Sequence, residues 1–217
     1  RGSSTSRGLG DVYKRQENMS QIDCYFSVIS PYTYLAGVRL GEIAQRHNAK
    51  VVYRPLDVIA LFSRTGGTPP KDRHASRKEY RLQELQRQAK NVNLPLNLQP
   101  AHWPVNQAPA SYAFIAAKNN GDGDLGKLMH LMTRACWSEQ RDISQDDVIR
   151  DCLSAAGFDP ALADSGLLQG AEEYVANLEH AVEAGAFGAP FFIVDDGQRF
   201  WGQDRLADLD AHLAGGV

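Results

Sequence analysis

The chain has 217 residues, of which 43% are hydrophobic, and a formal net charge of −3 at pH 7. These values are typical of one globular domain with a sizeable core, and the near-balanced charge gives no general argument for binding nucleic acid or a membrane. No apolar run approaches the roughly 20 residues that a membrane-spanning helix requires.

The first 20 residues differ in composition from the rest of the chain. Residues 1–20 are polar and rich in Gly, Ser and Arg, and they lack the apolar stretch of a signal peptide. We interpret them as a leader of cloning origin that is not part of the fold, with Met19 as the expected native start. A cytoplasmic location is the corresponding expectation.

The next segment predicts a strand, a helix and a second strand. Residues 21–29 are rich in aromatic and β-branched side chains and end at Ser30-Pro31. Ser30 is suited to cap a helix, and Pro31 is suited to its first turn. We expect this helix to run to about residue 47 and a second strand to cover residues 50–56. A strand–helix–strand order predicts two parallel strands.

The middle of the chain is predicted to be almost entirely helical, from residue 71 to residue 186. Apolar residues recur at helical spacing in residues 71–90, 124–138 and 171–186. Ser144 and Asp147 form a pattern that resembles a capping box and predicts the start of another helix.

The chain then returns to strands. Residues 191–194 and 199–201 favour β-structure, and the Asp196-Gly197 pair between them is a hairpin signal. A final helix is predicted over residues 203–213. The fold class is therefore α/β, a βαβ–ββα core with a large all-helical insertion between the second and third strands.

The three cysteines do not form a recognisable reactive or metal-binding pattern. Cys24, Cys136 and Cys152 are widely spaced, with no CxxC pair and no zinc-type spacing. Each lies in an apolar segment, so we expect buried, reduced thiols and no metal site.

Three segments carry a resemblance to a known family. They are FSVISPYTYLA (26–36), LFSRTGGTPP (61–70) and GAFGAPFFIVDDGQRFWGQDRL (185–206). Together they resemble the 2-hydroxychromene-2-carboxylate isomerases and the related kappa-class glutathione transferases, over nearly all of residues 21–213. The resemblance implies a thioredoxin-like domain formed by residues 21–60 and 187–217, a helical insertion domain of residues 61–186, glutathione as a cofactor, and a homodimer.

Ser30 is the candidate catalytic residue. Redox-active thioredoxin-like proteins carry CxxC here, whereas this chain has Ser30-Pro31-Tyr32-Thr33, which excludes disulfide exchange at this position. From the residues alone, Ser30 is a helix cap. The resemblance implies instead that its hydroxyl hydrogen-bonds the glutathione sulfur and lowers the pKa of the thiol. Nearby, Ser27 stands where the isomerases often carry an acid.

Two further segments complete the glutathione site that the resemblance implies. The bond between Ala189 and Pro190 is expected to be cis, with the Ala189 backbone pairing with the cysteinyl unit of glutathione. The second segment consists of Trp201, Gly202, Gln203 and Asp204. It is expected to bind the γ-glutamyl end of glutathione, with the Asp204 carboxylate as the partner of the ammonium group. From the residues alone, this segment is a strand end, a glycine turn and a helix cap. Relatives commonly carry Asn or Ser where Gln203 stands.

The substrate site is expected beside the loop of residues 62–71. Ser63 and Gly67 stand where relatives often carry a lysine and an asparagine. We expect Ser63, Arg64 and Asn106 to contact the substrate, with Arg64 as the cation for its carboxylate. The basic face of the helix at residues 71–90 is interpreted as a solvated surface.

The resemblance implies a glutathione-dependent isomerase. Its reaction interconverts 2-hydroxychromene-2-carboxylate and trans-o-hydroxybenzylidenepyruvate, within naphthalene-type aromatic catabolism. A kappa-like glutathione transferase or peroxidase is one alternative. A non-catalytic thioredoxin-fold binding module is the other.

Overall fold

The computed structural model describes residues 19–215. Residues 1–18 of the predicted leader lie outside this range, as do the last two residues of the chain.

A four-stranded sheet forms the centre of the fold. Its strands are β1 (Gln21–Phe26), β2 (Lys50–Pro55), β3 (Phe191–Val194) and β4 (Arg199–Trp201). Their order across the sheet is β2-β1-β3-β4, with β1 parallel to β2 and both other pairs antiparallel. This arrangement confirms the predicted mixed sheet.

Nine α-helices surround the sheet in residues 19–215, and the six from α3 to α8 lie between β2 and β3. This confirms the predicted helical insertion. In chain order they are α1 (Pro31–Ala36), α2 (Arg39–Arg46), α3 (Val58–Thr65), α4 (Ala75–Asn91), α5 (Ala108–Asn120), α6 (Leu125–Trp137), α7 (Asp146–Ala155), α8 (Leu167–Ala184) and α9 (Leu206–Leu213). Short 3₁₀ helices cover Pro70–Asp72, Pro160–Ala163 and Gln203–Arg205.

The first predicted helix is divided into two. Helix α1 ends at Ala36, and Gly37 has φ +59° and ψ −133° before α2 begins at Arg39. A positive φ is readily adopted only by glycine and interrupts the helical hydrogen-bond ladder. The prediction of one continuous helix to residue 47 was therefore wrong.

A helix also replaces the first part of the predicted loop at residues 62–71. The Asp57 carboxylate accepts hydrogen bonds from the N–H groups of Ile59 (3.0 Å) and Ala60 (3.2 Å), which caps α3. Gly66, with φ +83°, ends the helix. The loop therefore begins after Thr65.

The capping box predicted at Ser144 and Asp147 is also absent. The Ser144 hydroxyl donates to Asp142 at 2.6 Å, and α7 begins two residues later, at Asp146. A local side-chain bond competes here with the capping role.

Both faces of the sheet are covered by helices. Side chains alternate along β1, so Cys24 and Phe26 join a cluster with Phe114 of α5, while Tyr25 packs with Leu61 of α3 on the opposite face. The three cysteines are buried and free, and burial raises the pKa of each thiol. The expectation of buried, reduced thiols is confirmed.

Candidate functional site

Ser30 lies where β1 has ended and α1 begins. Its Oγ accepts the N–H of Thr33 at 3.2 Å, so the expected helix cap is present. The same hydroxyl donates to the carbonyl of Ala189 at 3.4 Å, which is long for an O–H···O hydrogen bond. The side chain is almost buried, at 8% exposure. The hydrogen bond from Ser30 to Ala189 is therefore weak, and the hydroxyl can donate to a stronger acceptor instead.

The backbone before Ser30 is anchored by two tryptophans from the helical insertion. The carbonyl of Ile29 accepts hydrogen bonds from the indole N–H of Trp103 (2.9 Å) and of Trp137 (3.1 Å). No local sequence signal predicts this shared acceptor, because the two bonds span 74 and 108 residues. The insertion thus positions the candidate catalytic residue.

The Ala189–Pro190 peptide faces Ser30. It is cis in this structure. The N–H of Ala189 has no acceptor among residues 19–215, while its carbonyl accepts from Ser30. The carbonyl of Pro190 accepts the N–H of Gly202 at 3.0 Å. This bond joins the Ala189–Pro190 peptide to the end of β4, so the two predicted cofactor-binding segments lie together.

At that strand end, Gly202 and Asp204 are in close contact. Gly202 has φ +102°, and a Cβ there would lie 2.5 Å from a carboxylate oxygen of Asp204. The backbone conformation therefore requires glycine, and a Cβ would also displace the Asp204 carboxylate from its present position. Within residues 19–215 no cationic group lies within 4.0 Å of the exposed Asp204 side chain. Next to them, Trp201 is 57% exposed and packs edge-on against Phe187, with ring centroids 5.1 Å apart.

Gln203 is buried, and both ends of its amide have partners. Its oxygen accepts from the guanidinium of Arg39, and its nitrogen donates to Gln88 of α4 at 3.0 Å. The side chain therefore ties the turn after β4 to α2 and α4. A ligand contact through this amide would have to use its second N–H or the second lone pair of its oxygen, on a side chain that is only 2% exposed.

The residues predicted to contact the substrate each have a hydrogen-bond or ion-pair partner within the protein. Arg64 is exposed and forms a bidentate ion pair with Glu179 of α8, with distances of 2.7 and 3.1 Å. The Ser63 hydroxyl donates to the carbonyl of Ala60 within α3. The Asn106 side chain accepts the N–H of Ala108 at 3.1 Å. No hydrogen bond or ion pair joins the three predicted residues to Ser30 or Ala189.

Sequence reasoning missed a polar network behind Ser30. The Ser27 hydroxyl donates to Gln107 Oε1 at 2.7 Å, and Gln107 Nε2 donates to Asp57 at 3.4 Å. The carbonyl of Ser27 in turn accepts the N–H of Ser30. Gln107 is the neighbour of Asn106, but its contact with Ser27 spans 80 residues and has no local sequence signal.

A surface cavity of about 500 Å³ lies elsewhere, between α4 and residues 93–98. Its polar lining residues are Gln86, Lys90 and Asn93, and the cavity includes none of the residues around Ser30. In the part of the chain that the structure covers, no helix has the length and apolarity to cross a membrane. No cluster of potential metal ligands is present among those same residues.

The absence of cysteine at residue 30 leads to the first prediction. We expect the protein not to reduce insulin disulfides with dithiothreitol or glutathione, because the site has a hydroxyl where exchange needs a thiolate. Turbidity of insulin measures the reaction, with the protein-free mixture as control. Turnover clearly above that control would contradict the assignment of the site.

The sequence of the chain is similar to one family of domains and to several known proteins. A family described as DSBA-like thioredoxin domain matches residues 21–214. The chain is 32% identical to 2-hydroxychromene-2-carboxylate isomerase of Sphingobium xenophagum over 197 residues, which cover 88% of this chain and 97% of the relative. It is 26% identical to glutathione S-transferase kappa 1 of Caenorhabditis elegans, covering 88% of this chain and 91% of that one.

Solved structures show the same fold. A structure of 2-hydroxychromene-2-carboxylate isomerase superimposes with a TM-score of 0.74 at 24% identity, covering 90% of this chain and 95% of that chain. The cytosolic disulfide reductase DsbM of Pseudomonas aeruginosa, described with GSH, has a TM-score of 0.66 at 17% identity, covering 90% and 98%.

Proposed function

Because the chain belongs to the DSBA-like thioredoxin domain family and to the family of 2-hydroxychromene-2-carboxylate isomerases, we propose that it interconverts 2-hydroxychromene-2-carboxylate and trans-o-hydroxybenzylidenepyruvate with glutathione as cofactor. The observation that carries the proposal is the Ser30 hydroxyl, weakly bound at 3.4 Å to the carbonyl of Ala189. A pathway of naphthalene-type aromatic catabolism is part of the same proposal.

The residues around Ser30 fit a small thiol peptide. Ala189 offers an N–H that is free in the described chain, next to a carbonyl at the same edge, and an extended peptide pairs with such an edge. Asp204 offers an exposed carboxylate with no cationic group within 4.0 Å among residues 19–215, although Arg39 interacts with it electrostatically at longer range; such a carboxylate suits an ammonium group. Ser30, Ala189 and Asp204 would therefore hold the sulfur, the central backbone and the γ-glutamyl ammonium. A neighbour of the same fold that is described with GSH supports glutathione as the ligand.

When bound at Ser30, Ala189 and Asp204, glutathione would supply a thiolate nucleophile for reversible addition to the conjugated carbon–carbon double bond of the substrate. Ser30 would donate a hydrogen bond from its hydroxyl to the anionic sulfur and so stabilise the thiolate. The indole groups of Trp103 and Trp137 hold the carbonyl of Ile29 and so fix where that donor stands.

The proposal is tested by following 2-hydroxychromene-2-carboxylate spectrophotometrically, with and without glutathione. We expect conversion that requires both protein and glutathione and leaves the glutathione concentration unchanged. Conversion at the same rate without glutathione would contradict the proposed cofactor, and no conversion would contradict the proposed reaction.

A kappa-like glutathione transferase or peroxidase is the second candidate, favoured by the 26% identity to glutathione S-transferase kappa 1. That activity consumes glutathione, so product analysis separates the two enzymes. A non-catalytic binding module is tested by calorimetry, in which it would show no saturable binding of glutathione.

The second prediction concerns Asp204. Asp204→Asn should weaken glutathione binding, since the carboxylate loses its charge while the helix start keeps a side chain of the same size. The site is exposed, so we expect the lower end for a hydrogen bond to a charged group, about 1.5 kcal/mol or roughly tenfold in dissociation constant. Calorimetry measures the change, and Asp208→Asn on the same surface is the control. An unchanged dissociation constant would leave Asp204 a structural residue only.

The expected homodimer and cytoplasmic location stay predictions. Sedimentation of the purified protein tests the first, and cell fractionation tests the second.

A further inference from the structure

A cluster of cationic and aromatic side chains lies beside Ser30 and has no role in the site described above. We call it the arginine–aromatic cluster. All five members are half-buried; they are Tyr32, Phe62, Arg73, Arg81 and Trp103. The basic face of the helix predicted at residues 71–90 was expected to be a solvated surface, whereas Arg73 and Arg81 are half-buried in the structure.

Trp103 connects the cluster to the candidate catalytic residue. Its indole N–H donates to the carbonyl of Ile29, the residue before Ser30. The guanidinium of Arg81 lies over the same indole ring, 5.3 Å from the centroid of the Trp103 ring. Arg81 is therefore separated from the backbone at Ser30 by a single side chain.

Tyr32 connects the cluster from the other side. It follows Ser30 by two residues on α1, and its hydroxyl donates to Glu84 of α4 at 3.2 Å. Its hydroxyl also interacts electrostatically with both Arg81 and Arg73. Arg73 in turn lies 5.5 Å from the ring centroid of Phe62. The hydroxyl of Tyr32 is therefore influenced by two guanidinium groups, those of Arg81 and Arg73.

Neither guanidinium has a carboxylate partner. Among residues 19–215, no carboxylate oxygen lies within 4.0 Å of Arg73 or Arg81, whereas Arg54 has Asp23 at 2.8 Å. Burial lowers the pKa of Arg81 and of Arg73. Repulsion by Arg73 adds to the effect at Arg81, and repulsion by Arg77 adds to it at Arg73. A partly desolvated cation without a counter-ion gains more from an incoming anion than a fully solvated one.

We infer that Arg81, assisted by Arg73, binds the carboxylate of an acidic ligand next to Ser30. The planar guanidinium suits a bidentate contact with a carboxylate, and stacking on Trp103 fixes its plane. The inference rests on the proposed function for the identity of the ligand. Two carboxylates have the required chemistry, that of the aromatic substrate and that of the glycyl end of glutathione.

The test measures binding rather than turnover. Chromone-2-carboxylate, a planar unreactive acid, and its neutral carboxamide are titrated by calorimetry into wild-type protein and the Arg81→Met variant in the presence of glutathione. Methionine keeps an unbranched apolar stem and removes the charge. Arg87→Met is the matched control, because Arg87 lies on the same helix over Tyr80, 5.6 Å from its ring centroid, and is exposed.

We expect wild-type protein to prefer the carboxylate over the carboxamide and Arg81→Met to lose this preference. Loss of a charge-assisted contact should weaken carboxylate binding about ten- to a hundredfold. Arg81→Lys should fall between the two, because an ammonium keeps the charge without the bidentate geometry. Arg87→Met should behave as wild type.

Glutathione and its glycinamide form the second arm, titrated without the aromatic acid. If Arg81→Met weakens glutathione but not the glycinamide, the glycyl carboxylate is the occupant. If only chromone-2-carboxylate is weakened, the occupant is the substrate. Unchanged affinity for all four ligands in a folded Arg81→Met and in Arg73→Met would overturn the inference. Carboxylate binding that depends on Arg81 in a protein without isomerase activity would overturn the proposed function alone.

Discussion

Ser30→Ala is expected to bind glutathione and to lose most of its isomerase turnover at neutral pH. The substitution removes the donor to the sulfur but leaves the contacts proposed for Ala189 and Asp204. A lost hydrogen bond to an anion is worth roughly 1.5–3 kcal/mol, so turnover should fall about ten- to a hundredfold. The pKa of the bound thiol should rise by about one to two units. The pH profile of turnover should therefore shift toward alkaline pH, because the thiolate is the reactive form.

Thiolate absorbance in the ultraviolet, titrated against pH in both complexes, measures this shift. Asp124→Ala is the control, since Asp124 caps α6 by accepting the N–H of Lys127 at 2.9 Å, as Ser30 caps α1. Loss of a cap costs on the order of 1 kcal/mol of folding free energy in either variant. Superimposable titration curves for wild type and Ser30→Ala would reduce Ser30 to a helix cap.

Trp137→Ala should cause the largest loss of stability among the changes considered. The side chain is fully buried against the ring of Trp103, with centroids 5.5 Å apart, and its N–H donates to Ile29. Truncation of a buried tryptophan to alanine typically costs about 3–5 kcal/mol of the free energy of unfolding. Urea unfolding followed by circular dichroism measures this quantity.

Two controls separate the causes. Trp201→Ala makes the same truncation at an exposed site and should change the free energy of unfolding by about 0.5 kcal/mol or less. Trp137→Phe keeps an aromatic ring, and Trp103 still donates to the Ile29 carbonyl, so we expect a cost well below that of alanine. If Trp137→Ala were no more destabilising than Trp201→Ala, the anchoring of Ile29 by the insertion would be contradicted.

Local patterns in the sequence predicted the elements well where a single residue type decides the backbone. The Asp196-Gly197 hairpin and the strands beside it follow from turn chemistry and β-favouring side chains, and the structure contains them. The cap at Ser30 is equally local. The break at Gly37 shows the limit, because a glycine inside a helical pattern is tolerated in many helices and interrupts this one.

The predicted substrate residues show a different limit. Arg64 was chosen for its charge and its place in a loop, yet a glutamate 115 residues away in sequence pairs with it. The basic face of the helix at residues 71–90 was interpreted as solvated, yet Arg81 is half-buried. Charge is visible in a sequence, whereas the partner that offsets it depends on which helices pack together.

The sequence by itself determined the order of the four strands, the helical character of the segment between β2 and β3, the absence of a redox-active cysteine pair, and a serine at the start of the first helix. Each of these depends on residues a few positions apart. The tertiary structure decided what surrounds that serine. The Ile29 carbonyl meets Trp103 and Trp137 across 74 and 108 residues, and Ser30 meets Ala189 across 159. Contacts at such separations depend on how the insertion packs against the sheet, because burial of apolar area brings these elements together without a local sequence signal.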